Sequence, residues 1–227
     1  MKLSVIIPTY NESATIETLL KKVLAVPIHK EIIVVDDGSQ DNTALLLKPF
    51  VDAKSVKYFR HEKNQGKGSA IKTAIRHLTG NVVIIQDADL EYDPEDYNKL
   101  IDPIIQQKAQ VVYGSRFLNK SNKHSYMRFY LGGIFVSFIA NILYHQKLTD
   151  EPTCYKVFDA AFLKSIPLKC ERFEFCPEIT AKIAKKGIRI REIPINYYPR
   201  SIKEGKKINW KDGLEAIWTL IKYRFIE

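Results

Sequence analysis

Five β-branched runs, separated by stretches of helical periodicity, constrain this chain more than any other feature. "LSVIIP" from Leu3, "EIIVVDD" from Glu31, "VKYFRH" from Val56, "NVVIIQD" from Asn81 and "QVVYGS" from Gln110 alternate with helical segments that begin near Ala14, Asn42 and Gly66 and after Pro94. Parallel strands need long crossovers and are buried on both faces. The order therefore predicts an α/β fold, a mostly parallel, Rossmann-like sheet flanked by helices. Right-handed crossovers bring the carboxyl ends of the strands to one edge, where ligands of such sheets gather. Each of those ends is polar: Thr9-Tyr10-Asn11-Glu12, Asp36-Asp37-Gly38-Ser39, Asn64-Gln65-Gly66-Lys67-Gly68, Asp87-Ala88-Asp89 and Gly114-Ser115-Arg116.

The fourth end is the most demanding. "NVVIIQDADLEYDP" sets Asp87, Asp89, Glu91 and Asp93 directly after a buried strand, and crowded carboxylates repel one another unless something positive sits among them. Asp87 and Asp89 suit a hard divalent cation, Mg²⁺ or Mn²⁺, which takes oxygen ligands and shares them with substrate phosphates; Glu91, or Asp93, offers a further oxygen. A turn accounts for Asp and Pro here but not for their alternation. Asp36 and Asp37 end an apolar strand where an acidic side chain accepts hydrogen bonds from a ribose or a base. The residues that follow, Gly38 to Asn42, also read as a capped turn with Asp41 or Asn42 as the cap. "NQGKGSA" offers glycines, a helix N-terminus and Lys67 to a phosphate. It lacks the GxxxxGK[ST] pattern, which argues against an ATPase.

Composition narrows the partners. Lys plus Arg number 35 against 26 Asp plus Glu, a net charge of +9, so anionic partners are expected. Nucleic acid is set aside, because aromatic-rich RNP patterns are absent and the basic residues are scattered among acidic ones. Cys154, Cys170 and Cys176 form no CxxC pair and read as reduced thiols. No apolar run reaches the roughly 18–20 residues of a membrane span; the nearest is "LGGIFVSFIANILY", from Leu131 to Tyr144, at the end of an amphipathic stretch. Later strands are expected at "TCYKVFD" and "IRIREIPINYY", with a helix from about Pro177 to Lys186 between them. A basic loop with Arg200, Lys203, Lys206 and Lys207 leads into a terminal amphipathic helix, whose Trp210 and Trp218 suit packing or an interface with an anionic bilayer.

"VIIPTYNE", "VVDDGSQDNT", "NQGKGSAIKTAI", "GNVVIIQDADLEYDPED" and "VVYGSRF", in this order, resemble the successive motifs of family 2 glycosyltransferases with the GT-A fold. The branch they most resemble is the dolichol-phosphate mannose synthase-like group, which moves a sugar from a nucleotide donor to a polyprenyl phosphate. The resemblance runs from Leu3 to about Tyr198. It implies one domain over 1–227, with a nucleotide-sugar part (1–116), an acceptor part (117–209) and a membrane-facing C-terminal helix (210–227). It assigns Pro8, Tyr10, Glu12, Asp36, Asp37, Lys67, Asp87, Ala88 and Asp89 to the UDP- or GDP-sugar. Asp87, Asp89 and Glu91 are assigned to Mg²⁺ or Mn²⁺, and Arg116, Arg128 and Arg200 to the isoprenoid phosphate. Catalysis falls to Asp89 and Arg116, with Asp150 as a lesser candidate. Mannose synthases of this group often show DADLQ where this chain has "DADLE", so Glu91 would replace a neutral metal ligand by a charged one.

The implied reaction is an inverting displacement. A hydroxyl acceptor would need a general base, whereas a phosphate is already ionised. The QxxRW motif of relatives that glycosylate hydroxyls is absent. "LTDEPTCYKVFD" is close to the TDxTSGF segment of the lipid-phosphate group, departing at Cys154 and Tyr155. Asp150, Glu151 and Glu178 are the available bases, each with a capping or shaping role as the preferred reading. Two rivals stand beside this one: transfer to a hydroxyl of a growing surface glycan, and a non-catalytic nucleotide-sugar-binding protein. The expected setting is cytoplasmic and peripheral, at the inner face of a membrane, with the bilayer surface or a membrane protein as partner.

Overall fold

A computed structural model describes residues 1–123, 126–201 and 210–226. The elements follow as β1 (Leu3–Thr9), α1 (Ile16–Ala25), β2 (Lys30–Asp36), α2 (Thr43–Asp52), β3 (Lys57–Arg60), α3 (Lys67–His77), β4 (Val82–Ile85), α4 (Tyr97–Ile105) and β5 (Val111–Ser115). They continue as α5 (Met127–Tyr144), β6 (Lys156–Asp159), α6 (Ala160–Lys164), α7 (Phe175–Lys185), β7 (Arg191–Pro194) and α8 (Trp210–Phe225). A seven-stranded sheet has the order β3-β2-β1-β4-β6-β5-β7. Only β6 runs against its neighbours, pairing antiparallel with both β4 and β5. The carboxyl ends of β1 to β5 and β7 therefore share one edge, and the segment entering β6 arrives there too.

Strand side chains alternate between two faces. Val5, Ile7, Val34 and Ile84 pack under α1, α2 and α4, while Ile6, Ile33, Val35, Val83 and Ile85 pack under α3, α6 and α7. Burying β1, β2 and β4 on both sides is what their unbroken apolar runs required. A third cluster joins Val136, Ala140 and Tyr144 of α5 to Ala181 of α7 and Leu220 and Tyr223 of α8.

Helix α5 differs from the amphipathic stretch expected. Its apolar residues run round the whole circumference: Gly133, Val136, Ser137, Ala140 and Tyr144 are buried, whereas Leu131, Ile134, Phe135, Phe138 and Ile142 are exposed. It begins at Met127 and spans 18 residues, so by length and composition it is a candidate for a membrane crossing, with 22% of it buried. The basic loop residues Lys203, Lys206 and Lys207 lie outside the described residues.

Candidate active site

The first two loops of the carboxyl edge are interlocked. The Asn11 amide donates to Ser39 Oγ (2.9 Å), Gln40 N donates to Asn11 Oδ1 (2.8 Å), and Glu12 N donates to Thr43 Oγ1 (2.9 Å). Pro8 and Tyr10 are half-buried beside this junction. Asn42 stands at the N-cap of α2 without a side-chain cap bond, and Asp41, one position earlier, accepts from the Thr43 amide at 2.9 Å instead.

Asp36 and Asp37 are committed to their own chain. Asp36 accepts from Ser39 N (2.8 Å) and the Tyr58 hydroxyl (3.0 Å). Asp37 accepts from Gln65 N (2.9 Å) and Gly66 N (2.7 Å) and lies 2.6 Å from His61 Nδ1, whose Nε2 meets Thr73 Oγ1 at 3.0 Å. These carboxylates thus shape the loop that enters α2 and the loop that enters α3.

The N-terminus of α3 is not an open phosphate cradle. Gly68 N donates to Arg172 O (3.1 Å) and Ser69 N to Glu171 O (3.0 Å), so the loop before α7 fills it. Gly66 permits this approach: its φ is +95°, and a Cβ there would stand 2.3 Å from Glu171 O.

Lys67 instead turns to the acidic strand end, where its Nζ donates to Asp87 Oδ1 at 2.5 Å and to Cys154 Sγ at 3.1 Å. Burial alone would raise the Asp87 pKa, but Lys67 outweighs it and holds the carboxyl below its ordinary value. Asp89 has the opposite balance. Burial, then the charges of Asp87 and Glu91, push it up to about 7, with Arg200 offsetting only part of this. Arg200 bridges the first and fourth ends, Nη2 to Asp89 Oδ2 at 2.9 Å and Nη1 to Glu12 Oε2 at 3.2 Å. Ala88 is buried between the two aspartates.

Glu91 points elsewhere. Its carboxylate accepts from the Tyr197 hydroxyl and the Arg200 amide, both on the segment after β7. Among the described residues, no three His, Cys, Asp or Glu side chains stand together as a metal-ligand group. Two aspartates with a surplus of negative charge nevertheless fit a hard cation that completes its shell with phosphate oxygens.

Arg116 is fixed on all sides. Its backbone amide and Nε donate to Asp150 Oδ2 (2.9 and 2.8 Å) and its Nη2 to Asp150 Oδ1 (2.6 Å), while the rings of Phe117 and Tyr197 flank the guanidinium. Asp150 is fully buried, with both carboxylate oxygens used by Arg116. Glu178 is likewise buried, accepting from Lys169 N (2.7 Å), Cys170 N (2.6 Å) and Lys182 Nζ. It ties down the loop before α7. Arg128 lies exposed on the first turn of α5, over the rings of Tyr126 and Phe129.

The model of glycosyl transferase family 2 matches residues 4–166. The chain belongs to that family. At 31% identity, covering 95% of this glycosyltransferase and 93% of the relative, it is similar to the UDP-N-acetylglucosamine–dolichyl-phosphate N-acetylglucosaminyltransferase of Methanococcus voltae. It is 30% identical to the dolichol-phosphate mannosyltransferase of Pyrococcus furiosus, over 91% of this chain and 59% of that one. Glucosyl-3-phosphoglycerate synthase of Mycobacterium tuberculosis, solved with Mn²⁺, UDP and glucosyl-3-phosphoglycerate, superposes with a TM-score of 0.77 at 19% identity, covering 100% of this chain and 81% of that chain. The fold of the glycosyltransferase is accordingly GT-A.

Several groups that build this site escaped sequence reasoning. His61 braces Asp37, while the hydroxyls of Tyr97 (2.8 Å) and Tyr155 (2.6 Å) donate to the fully buried Gln86 beneath Asp87. Tyr92 and Tyr197 form a bridge between segments remote in sequence. The apolar patterning of these stretches carries no mark of the pairings.

Proposed function

We propose that this glycosyltransferase moves a hexose or related sugar from a UDP- or GDP-sugar to an isoprenoid phosphate, with inversion at the anomeric carbon. The observation that carries the reading is the state of the three acidic residues that could serve as a base. Asp150 has both oxygens on Arg116, Glu151 is fully buried with its Oε1 accepting from Thr180 Oγ1 at 2.8 Å, and Glu178 has its oxygens on a loop, so none of the three stands ready to deprotonate a hydroxyl. A phosphate acceptor has no such need, and an arginine locked by a buried carboxylate is suited to receive it. The names of the dolichyl-phosphate transferases similar to this chain point the same way.

In this reading Pro8, Tyr10, Glu12, Lys67 and Ala88 line the donor pocket, and Asp36 and Asp37, assigned to it from sequence, hold the loops that form its wall. Asp87 and Asp89 would hold Mg²⁺ or Mn²⁺. The cation, when bound, neutralises charge on the departing nucleoside diphosphate. Lys67 and Arg200 add fixed positive charge on the same side, and Arg116 and Arg128 orient the acceptor.

The outward faces of α5 and α8 serve the lipid. Leu131, Phe135 and Phe138 of α5 and Trp210, Trp218 and Phe225 of α8 are exposed, and α5 packs beside α8. Apolar helices flanked by Arg128, Lys211, Lys222 and Arg224 match an anionic bilayer surface, which supports the reading of peripheral attachment at a cytoplasmic membrane face.

The test is product formation with purified protein, Mn²⁺ or Mg²⁺, a panel of UDP- and GDP-sugars, and undecaprenyl or dolichyl phosphate, read by mass spectrometry of extracted lipid. A sugar-phosphate-lipid that vanishes with Asp89→Ala is expected. Donor hydrolysis without a lipid product would overturn the acceptor assignment.

A further inference from the structure

The acidic strand end and the segment after β7 are fastened together at Glu91. Its Oε2 accepts from the Tyr197 hydroxyl at 2.9 Å and its Oε1 from the Arg200 amide at 2.7 Å, while its carbonyl accepts from Tyr198 N at 2.8 Å. Next to it, Tyr92 bridges to Tyr197. Glu91 is 6% exposed and Tyr197 8%. Swinging this carboxylate toward a metal would strand a buried hydroxyl and a backbone N–H, each costly to leave unmade.

We propose that Glu91 is a positioning residue and not a metal ligand: its carboxylate holds the segment Ile195–Ser201 so that the Arg200 guanidinium stands between Glu12 and Asp89. The choice of Glu over Gln follows from the donors. Two donors converge on the side chain, and a carboxylate meets both with acceptors, whereas a carboxamide would turn its NH₂ toward one of them. Among the described residues, the buried Nε of Arg200 meets no hydrogen-bond partner. A guanidinium so held is a fixed positive charge for an anionic ligand, and under the function proposed above that ligand is the donor diphosphate.

The experiment compares Glu91→Gln, Tyr197→Phe and the double variant in two measurements that need no turnover. The first is hydrogen exchange of the ligand-free protein. Both single variants are expected to speed exchange at the Tyr198 and Arg200 amides. The second is UDP and GDP binding by calorimetry, with Mn²⁺ and with EDTA. If Glu91 acts through Arg200, each single variant weakens the bound nucleotide by about tenfold with or without metal, and the double variant is no worse than either, as coupled residues behave. A loss for Glu91→Gln that appears only with Mn²⁺, while Tyr197→Phe binds like the wild type, would overturn the proposal and restore Glu91 as a ligand. If the wild type binds neither nucleotide, the donor assignment fails on its own. The exchange data then still decide the role of Glu91, and unchanged exchange in both variants would sink it.

Discussion

Opposite edges of the same sheet each hold a carboxylate largely withdrawn from water, and the two are treated in opposite ways. At the amino edge, Glu31 accepts from Ser4 Oγ (2.6 Å), Thr79 N (2.6 Å), Gly80 N (3.0 Å), Thr79 Oγ1 (2.8 Å), Lys57 Nζ (2.7 Å) and Lys2 Nζ (3.2 Å). Burial works to raise its pKa, but Lys57, Ser4 and Thr79 outweigh burial and hold it well below the usual carboxylate range. At the carboxyl edge, Asp89 has Arg200 and the Glu91 amide (3.1 Å) against two neighbouring acids, and burial with those charges lifts it to about 7. One edge is electrostatically complete. The other is short of positive charge where ligands of α/β sheets bind, the kind of perturbation that marks functional sites.

Removing the charge at each edge should break this symmetry. Asp89→Asn is expected to lower sugar transfer by about 100-fold or more, in the range seen when groups that stabilise transition-state charge are lost, while raising the melting temperature above pH 7. A variant that kept wild-type turnover would remove Asp89 from the mechanism. Glu31→Gln should do the reverse. It leaves buried donors unmatched, so a loss of about 2 kcal/mol is expected, read as a lower denaturation midpoint with activity per folded molecule unchanged.

The pH dependence sharpens the contrast further. Asp89 has a folded pKa near 7, above the roughly 3.9 of an unfolded aspartate. The folded protein therefore holds an extra proton between about pH 4 and 7, and this group's contribution to stability declines as pH rises through that window. Glu31, with a depressed folded pKa, contributes fully above the unfolded glutamate value. Its contribution is lost as pH falls below that value toward the folded pKa. Chemical denaturation of metal-free protein from pH 4.5 to 8 should show the decline flattened in Asp89→Asn and kept in Glu31→Gln. If Asp89→Asn leaves the slope untouched, the charge deficit belongs to another group.

What could be read from sequence was local. β1 to β5 were legible as apolar runs, and Asp87, Asp89 and Arg116 because each sits where such a run ends. The partners were not legible, since Arg116 meets Asp150 across 34 positions and Arg200 reaches Asp89 across 111; no periodicity links them. Glu91 was placed with the aspartates by its spacing, yet the left-handed backbone at Leu90 (φ 61°) follows Asp89 and the side chain meets the segment after β7. The start of α5 was missed because Arg128 and the polar residues before it read as a continuing loop. The α3 N-terminus looked open because sequence cannot show that the carbonyls of Glu171 and Arg172 occupy it.

Glu178 gives the smallest expected effect and the sharpest test between acceptors. It resembles Glu31 in being buried with its oxygens on backbone amides and a lysine, although it lies in the half of the chain that the acceptor reading uses. If it only shapes the loop before α7, Glu178→Gln keeps one acceptor for the Lys169 and Cys170 amides and costs about 1 kcal/mol. That is a shift of about 2–4 °C in Tm for a chain of this size. Turnover with a polyprenyl phosphate should stay within about threefold of wild type, since loss of a general base typically costs 10²–10⁴-fold. A folded Glu178→Gln protein with turnover reduced to that extent would mean that a proton must be removed from the acceptor. The hydroxyl would then replace the phosphate as the group this site was built to receive.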